Sequence, residues 1–156
     1  MPDLEEFLAK AGNGPVLVSA CLLGLSTRYD GGCKTETRLV EYAKTHCVVP
    51  ICPEQLGGLP TPRPKSSFVG GDGSAVLKGR AKVLSETGRE VTENFLRGAK
   101  QAAALAKLVG ARFAVLKEQS PSCGVMQVHV GGKIVDGCGV TTAVLKASGF
   151  EVFAVQ

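Results

Sequence analysis

Pro15-Val16-Leu17-Val18-Ser19-Ala20, running into Cys21, is the stretch from which the fold is read. It is short, apolar and rich in β-branched residues, with glycine on either side at Gly14 and Gly24, which is the pattern of a strand buried on both faces. Two other runs have the same form. Cys47-Val48-Val49-Pro50-Ile51 leads into Cys52, and Phe113-Ala114-Val115-Leu116-Lys117 precedes Cys123 by one short loop. Strands of this kind occur in parallel sheets, whose carboxyl edge is where ligands bind.

The segments between the strands read as helices. Asp3 is placed to cap a helix over residues 4–11, ended by Gly12 and Gly14, and residues 35–45 carry Leu39, Val40, Tyr42 and Ala43 among charges. Residues 92–109 give the clearest helix, with Phe95, Ala99, Ala102, Ala106 and Val109 on one face, Thr92 as N-cap and Gly110 as stop. Between them, Gly57 to Gly73 has no secondary-structure period and reads as a long loop, and Ala75-Val76-Leu77 reads as the start of a short edge strand. Ser85 to Arg89 reads as a turn. Val125–Val130 and Lys133–Val135 alternate around Gly131-Gly132 as a hairpin, followed by a helix over 141–148 and a strand over 151–155. The expected fold is an α/β single domain spanning 1–156, a Rossmann-like, mostly parallel sheet with helices on both faces and a C-terminal hairpin insertion.

With 156 residues, 44% hydrophobic and 21% charged, the chain is long enough to build a core without disulfides and is not of disordered composition. It has no apolar run of about 18 residues or more, so no membrane span is expected. The acidic, amphipathic N-terminus is unlike a signal peptide, which places the chain in the cytoplasm. In that compartment six cysteines are expected as thiols or metal ligands. No Cys-x-x-Cys pair is present to suggest a zinc finger. The formal charge of +4 permits an anionic substrate without demanding one.

Cys47 is expected within a strand, and Cys33 and Cys138 lie in loops with no assigned role. Cys21, Cys52 and Cys123 differ because each follows a strand, so the three thiols can converge at one sheet edge as a soft metal centre with a position left open. Their neighbours suit chemistry. Glu54 lies beyond Cys52 and the stiff Pro53, and Ser120 and Ser122 flank Pro121 just before Cys123. A carboxylate, hydroxyls and thiolates at one edge can hold a metal centre and move protons. The Asp30-Gly31-Gly32 turn allows close backbone approach.

These residues also carry a family resemblance. Ser19-Ala20-Cys21-Leu22-Leu23-Gly24 with Arg28-Tyr29-Asp30-Gly31-Gly32, Cys52-Pro53-Glu54 with Gly57-Gly58-Leu59-Pro60 and Pro62-Arg63, Ser120-Pro121-Ser122-Cys123-Gly124, and Gly137-Cys138-Gly139-Val140-Thr141 resemble the thiouracil desulfurase family, a bacterial family long known as a domain of unknown function. The chain departs from the family pattern at Cys138, where a small or polar residue is expected. The resemblance implies a [4Fe-4S] cluster held by Cys21, Cys52 and Cys123, with one iron not ligated by protein. It also implies Glu54 as acid/base and a serine, either Ser120 or Ser122. The implied activity is desulfuration of thiolated nucleobases without net redox change, with the substrate's sulfur on the open iron.

The backbone donors of Gly31 and Gly32 and the cations Arg28, Arg63 and Lys65 are expected to hold the base, or a phosphate if one is present. The expected partner is a small thiolated base or nucleoside. No dense Lys/Arg stripe points to nucleic acid, and oligomeric state is not legible. Two alternatives remain: sulfur insertion into tRNA or another substrate, and a zinc- or iron-binding regulatory module without turnover.

Overall fold

The computed structural model describes residues 3–156. The Asp3 carboxylate accepts the Glu6 N–H at 2.8 Å and caps α1 (Leu4–Ala11). Then follow β1 (Val16–Ser19), a single 3-10 turn over Ala20–Leu23, α2 (Thr37–Ala43), β2 (Val48–Ile51) and α3 (Pro53–Leu56). The middle of the chain forms β3 (Ser66–Val69), α4 (Gly73–Leu77), β4 (Lys82–Ser85) and α5 (Thr92–Val109). The remainder is β5 (Phe113–Lys117), the hairpin β6 (Gln127–Val130) and β7 (Lys133–Asp136), α6 (Val140–Ala147) and β8 (Glu151–Val155).

The first sheet has the order β2-β1-β5-β8 and is parallel throughout. Alternation along its strands explains helices on both faces. Val16, Val18 and Val115 point to one face and pack with Leu4, Phe7 and Leu8 of α1 and Leu39 of α2. Leu17, Ala114 and Leu116 point to the other, against Ala102 and Ala106 of α5 and Leu145 of α6. Val16, Leu17 and Val18 are all fully buried, and each such side chain contributes about 1.5–3 kcal/mol on leaving water.

The hairpin belongs to a second sheet rather than being an insertion in the first. That sheet has the order β4-β3-β6-β7, with antiparallel β3–β4 and β6–β7 pairs joined by a short parallel contact at Phe68–Val130. Its core of Phe68, Val83 and Val128 packs on Phe95 and Ala99, so the first half of α5 serves this sheet and the second half serves the other.

Five sequence expectations differ from the structure. Gly57–Gly73 is not structureless, because β3 lies inside it; only Phe68 of its four residues is buried, and its pairing is tertiary. Ala75-Val76-Leu77 is helical, since Asp72 caps α4 by accepting the Ala75 N–H at 3.2 Å. The N-cap of α5 is Val91, and the Thr92 hydroxyl instead accepts the Val83 N–H at 2.9 Å. Cys47 stands just before β2 and is exposed. Val109, expected on the packed face of α5, is 38% exposed. Among the described residues, no helix is long and apolar enough to cross a membrane.

Candidate functional site

β2, β1 and β5 are neighbours, and all three end at the same edge of the first sheet. Just beyond β1, Cys21 sits in the 3-10 turn, which Gly24 closes in the left-handed conformation (φ 88°) that glycine adopts without strain. Cys52 is the N-cap of α3, with Pro53 at the first helical position. Cys123 lies in the loop after β5. Its carbonyl accepts the Thr142 hydroxyl at 3.1 Å, and the Val140 and Thr141 N–H groups at the start of α6 donate to Pro121 and Ser122 carbonyls. All three thiols line one cavity of about 560 Å³, a size usual for ligand pockets of roughly 300–1,000 Å³.

Glu54 lines the same cavity between two partners. Arg63 Nη2 approaches its Oε2 at 3.3 Å, and the Ser122 hydroxyl donates to its Oε1. The Arg63 and Glu54 side chains are only 6% and 14% exposed. Arg63 also donates to the Thr27 carbonyl at 3.0 Å, and its own N–H donates to Tyr29 at 2.7 Å. The Cys52 thiol donates to the same Thr27 carbonyl at 3.6 Å. Arg63 thus fixes the carboxylate and the 27–29 loop together.

Ser120 Oγ accepts the N–H groups of both Ser122 and Cys123 at 3.2 Å, which fills its two lone pairs. Its own hydrogen is left for Ser122 Oγ at 3.0 Å, and Ser122 in turn donates to Glu54. Ser120 lines the cavity, whereas Ser122 is buried behind it.

Of the expected substrate groups, Arg28, Arg63 and Lys65 line the cavity. The Gly31–Gly32 turn does not offer free donors. Gly31 donates to the Arg28 carbonyl at 2.9 Å and Gly32 to Asp30 Oδ1 at 2.9 Å, so both N–H groups are used within the turn. Its part is to present Arg28 and Tyr29. Cys33 is exposed, and Cys138 is buried with its sulfur 3.4 Å from the Ser74 hydroxyl, away from the cavity lining.

Burial, followed by the Glu54 carboxylate, pushes the Cys21 thiol up to about 11. The same causes in the same order raise Cys52 and Cys123 above the usual thiol range, and Ser19 and Ser122 hydroxyls act the other way at Cys123. Two buried thiols and a half-buried one facing a carboxylate make a site that favours thiolates only when positive charge enters it. Among the described residues, no three His, Cys, Asp or Glu side chains are grouped to hold a single ion. The three thiols share the lining of one cavity, and their soft sulfur is a donor set that suits an iron–sulfur centre.

Sequence reasoning missed Lys117 and Glu118, which also line the cavity. Burial, then Arg28, lowers Lys117 from the usual lysine range. The available signal was an adjacent pair of charges ending the apolar run Phe113–Leu116.

Residues 16–156 match the family described as 2-thiouracil desulfurase. The chain belongs to the 2-thiouracil desulfurase family. A protein of Bacillus subtilis (strain 168), named only as uncharacterized protein YbbK, is 40% identical over 142 residues, covering 89% of this chain and 94% of that one. The solved [4Fe-4S]-dependent thiouracil desulfidase TudS (DUF523Vcz) is similar with a TM-score of 0.78 at 40% identity, covering 90% of each chain. This 2-thiouracil desulfurase family member therefore shares its α/β architecture with a protein whose cofactor is an iron–sulfur cluster.

Proposed function

We propose that the chain is a [4Fe-4S]-dependent desulfidase that converts the thiocarbonyl of a thiolated nucleobase to a carbonyl and releases hydrosulfide. The observation that carries this reading is the cavity itself, in which three thiols from three neighbouring strands face one carboxylate held by Arg63 and Ser122. Cys21, Cys52 and Cys123 would hold the cluster, one thiolate fewer than a cubane usually takes. When bound, it supplies at the iron no cysteine holds a thiophilic Lewis acid for the substrate's sulfur.

The chain's own groups perform the proton work. Glu54 takes a proton from water as the water oxygen adds to the C–S carbon. Ser122 orients the carboxylate, and Ser120 continues the hydroxyl chain to the cavity. The C–S bond then breaks, and one hydrosulfide and one proton leave with no electron gained or lost. Arg28 and Lys65, which flank the Tyr29 ring at 5.6 and 5.1 Å, form the wall for the base. The substrate is a small thiolated base or nucleoside. An oxidation-sensitive cofactor and six free cysteines suit the cytoplasm.

Anaerobic reconstitution followed by incubation with thiouracil tests the reading. The expected result is about four irons and four sulfides per chain, with uracil and hydrosulfide formed in equal amounts. One zinc per chain, or a loaded cluster with no sulfide release, overturns it.

A further inference from the structure

Glu118 is 2% exposed and lies immediately after β5, yet the chemistry above leaves it unused. Its Oε1 accepts N–H groups from Gln119 at 3.1 Å, Val125 at 2.8 Å, Met126 at 3.1 Å and Gln127 at 3.1 Å, and its Oε2 accepts that of Met126 at 3.2 Å. One carboxylate thus gathers both ends of the loop that carries Ser120, Ser122 and Cys123. Buried carboxylates need such donors, and charge-assisted bonds of this kind are about twice as strong as neutral ones. The loop is also under strain that the carboxylate holds in place. Gln119 has φ 68°, alone among the described non-glycine residues in the left-handed region, and its N–H is one of those bound. At the far side, Gly124 is packed so closely that an added Cβ would lie 2.6 Å from the Gln127 carbonyl and 2.8 Å from that of Ser120. The loop is pinned at both ends, and Glu118 closes it.

We propose that Glu118 is the positioning residue that fixes Cys123 and the Ser120–Ser122 pair relative to Glu54, a role whose catalytic consequence rests on the desulfidase reading. Although it reaches the cavity lining, its carboxylate oxygens are taken up by the loop's N–H groups. It acts by setting where the third thiol and the hydroxyl chain stand.

The test compares Glu118→Gln and Glu118→Ala in the full chain, with and without anaerobic reconstitution. In cluster-free protein, Glu118→Ala should lose amide-exchange protection at residues 125–127. It should also speed alkylation of Cys123 by iodoacetamide by about tenfold or more while Cys21 reacts at the wild-type rate, a selectivity that follows from local release and not from global loosening. In reconstituted protein, kcat for hydrosulfide release should fall by about 10²-fold with KM nearly unchanged, as for a misplacement of about 1 Å. Glu118→Gln keeps one acceptor oxygen and the shape, so it should recover part of each loss and remain folded where the alanine variant does not. Wild-type exchange and wild-type Cys123 alkylation in either variant overturn the proposal, as does a kcat unchanged from wild type in both. If the wild-type protein itself releases no hydrosulfide, the functional reading fails, while exchange and alkylation in cluster-free protein still decide the role of Glu118.

Discussion

At the scale of single residues, the two serines of Ser120-Pro121-Ser122-Cys123 are equivalent in sequence and different in space. Both precede the same cysteine, and nothing in their spacing says which one meets Glu54. Hydrogen-bond counting separates them. Ser120 accepts two backbone N–H groups and points its hydrogen to Ser122, which donates to the carboxylate. Ser122→Ala should therefore keep the cluster and lower kcat by about 10²–10⁴-fold, the usual contribution of a positioned proton-transfer group. Ser120→Ala also removes the acceptor for the Ser122 and Cys123 N–H groups, leaving two donors unpaired at about 1–3 kcal/mol each, so it should lose iron as well as rate. Iron content and hydrosulfide release measured side by side check both. Full activity in Ser122→Ala would remove that residue from the mechanism. Glu54 and the cysteines were legible because position after a strand is a sequence property. Glu118 was not, because three of its four donors, Val125, Met126 and Gln127, come from residues seven to nine places along the chain, brought back by the loop.

At the scale of elements, the clearest agreement is α5, whose bounds and stop at Gly110 follow from its apolar period. β3 and α4 were misread for a common reason: both are shorter than the window in which a period shows. β3 becomes a strand by pairing with β4 and β6, and α4 a helix because Asp72 caps it. The contact of α3 with α5 was equally hidden. A Cβ on Gly98 would lie 1.9 Å from the Pro53 carbonyl, and one on Gly57 would lie 2.0 Å from that of Asn94, so the two backbones meet there without side chains between them. This contact seats Cys52 and Glu54. In an ordinary helix interior Gly→Ala stabilises by roughly 1 kcal/mol. Here Gly98→Ala should instead destabilise by about 1–3 kcal/mol through overpacking, which lowers the melting temperature by about 2–4 °C per kcal/mol. Activity should fall too, since the clash moves Pro53 beside Glu54. Calorimetry with hydrosulfide assays measures both, and a raised melting temperature would show that α3 does not cross so closely.

At the scale of the molecule, a parallel sheet with helices on both faces was readable because three runs of Val, Leu and Ile alternate with amphipathic segments. The second sheet was not, since three of its four strands come from a Pro- and Gly-rich middle and a hairpin that reads as an insertion. The division matters for what the proposed cluster would do to stability. Cys21, Cys52 and Cys123 stand beyond the strand ends, with Cys21 and Cys123 at the margins of two apolar cores that are built mainly from Leu17, Leu116 and Leu145 and from Val16, Val18 and Leu39, while a third core of Phe68, Val83 and Phe95 holds no cysteine. The cores do not need the thiols to be bridged, unlike small domains that are unfolded without metal. Cluster-free protein should therefore keep its far-ultraviolet circular dichroism. If Cys21, Cys52 and Cys123 hold the cluster as proposed, loading should still stabilise, because it would bind only where three chain segments are already assembled. A ligand held at a hundred times its Kd adds about 2.7 kcal/mol, which for a chain of this size raises the melting temperature by about 5–10 °C. Thermal scans of reconstituted and chelator-stripped protein distinguish the outcomes. Loss of secondary structure on stripping would mean the thiols hold the fold together, and coincident melting curves would mean the cluster does not tie these three strand ends.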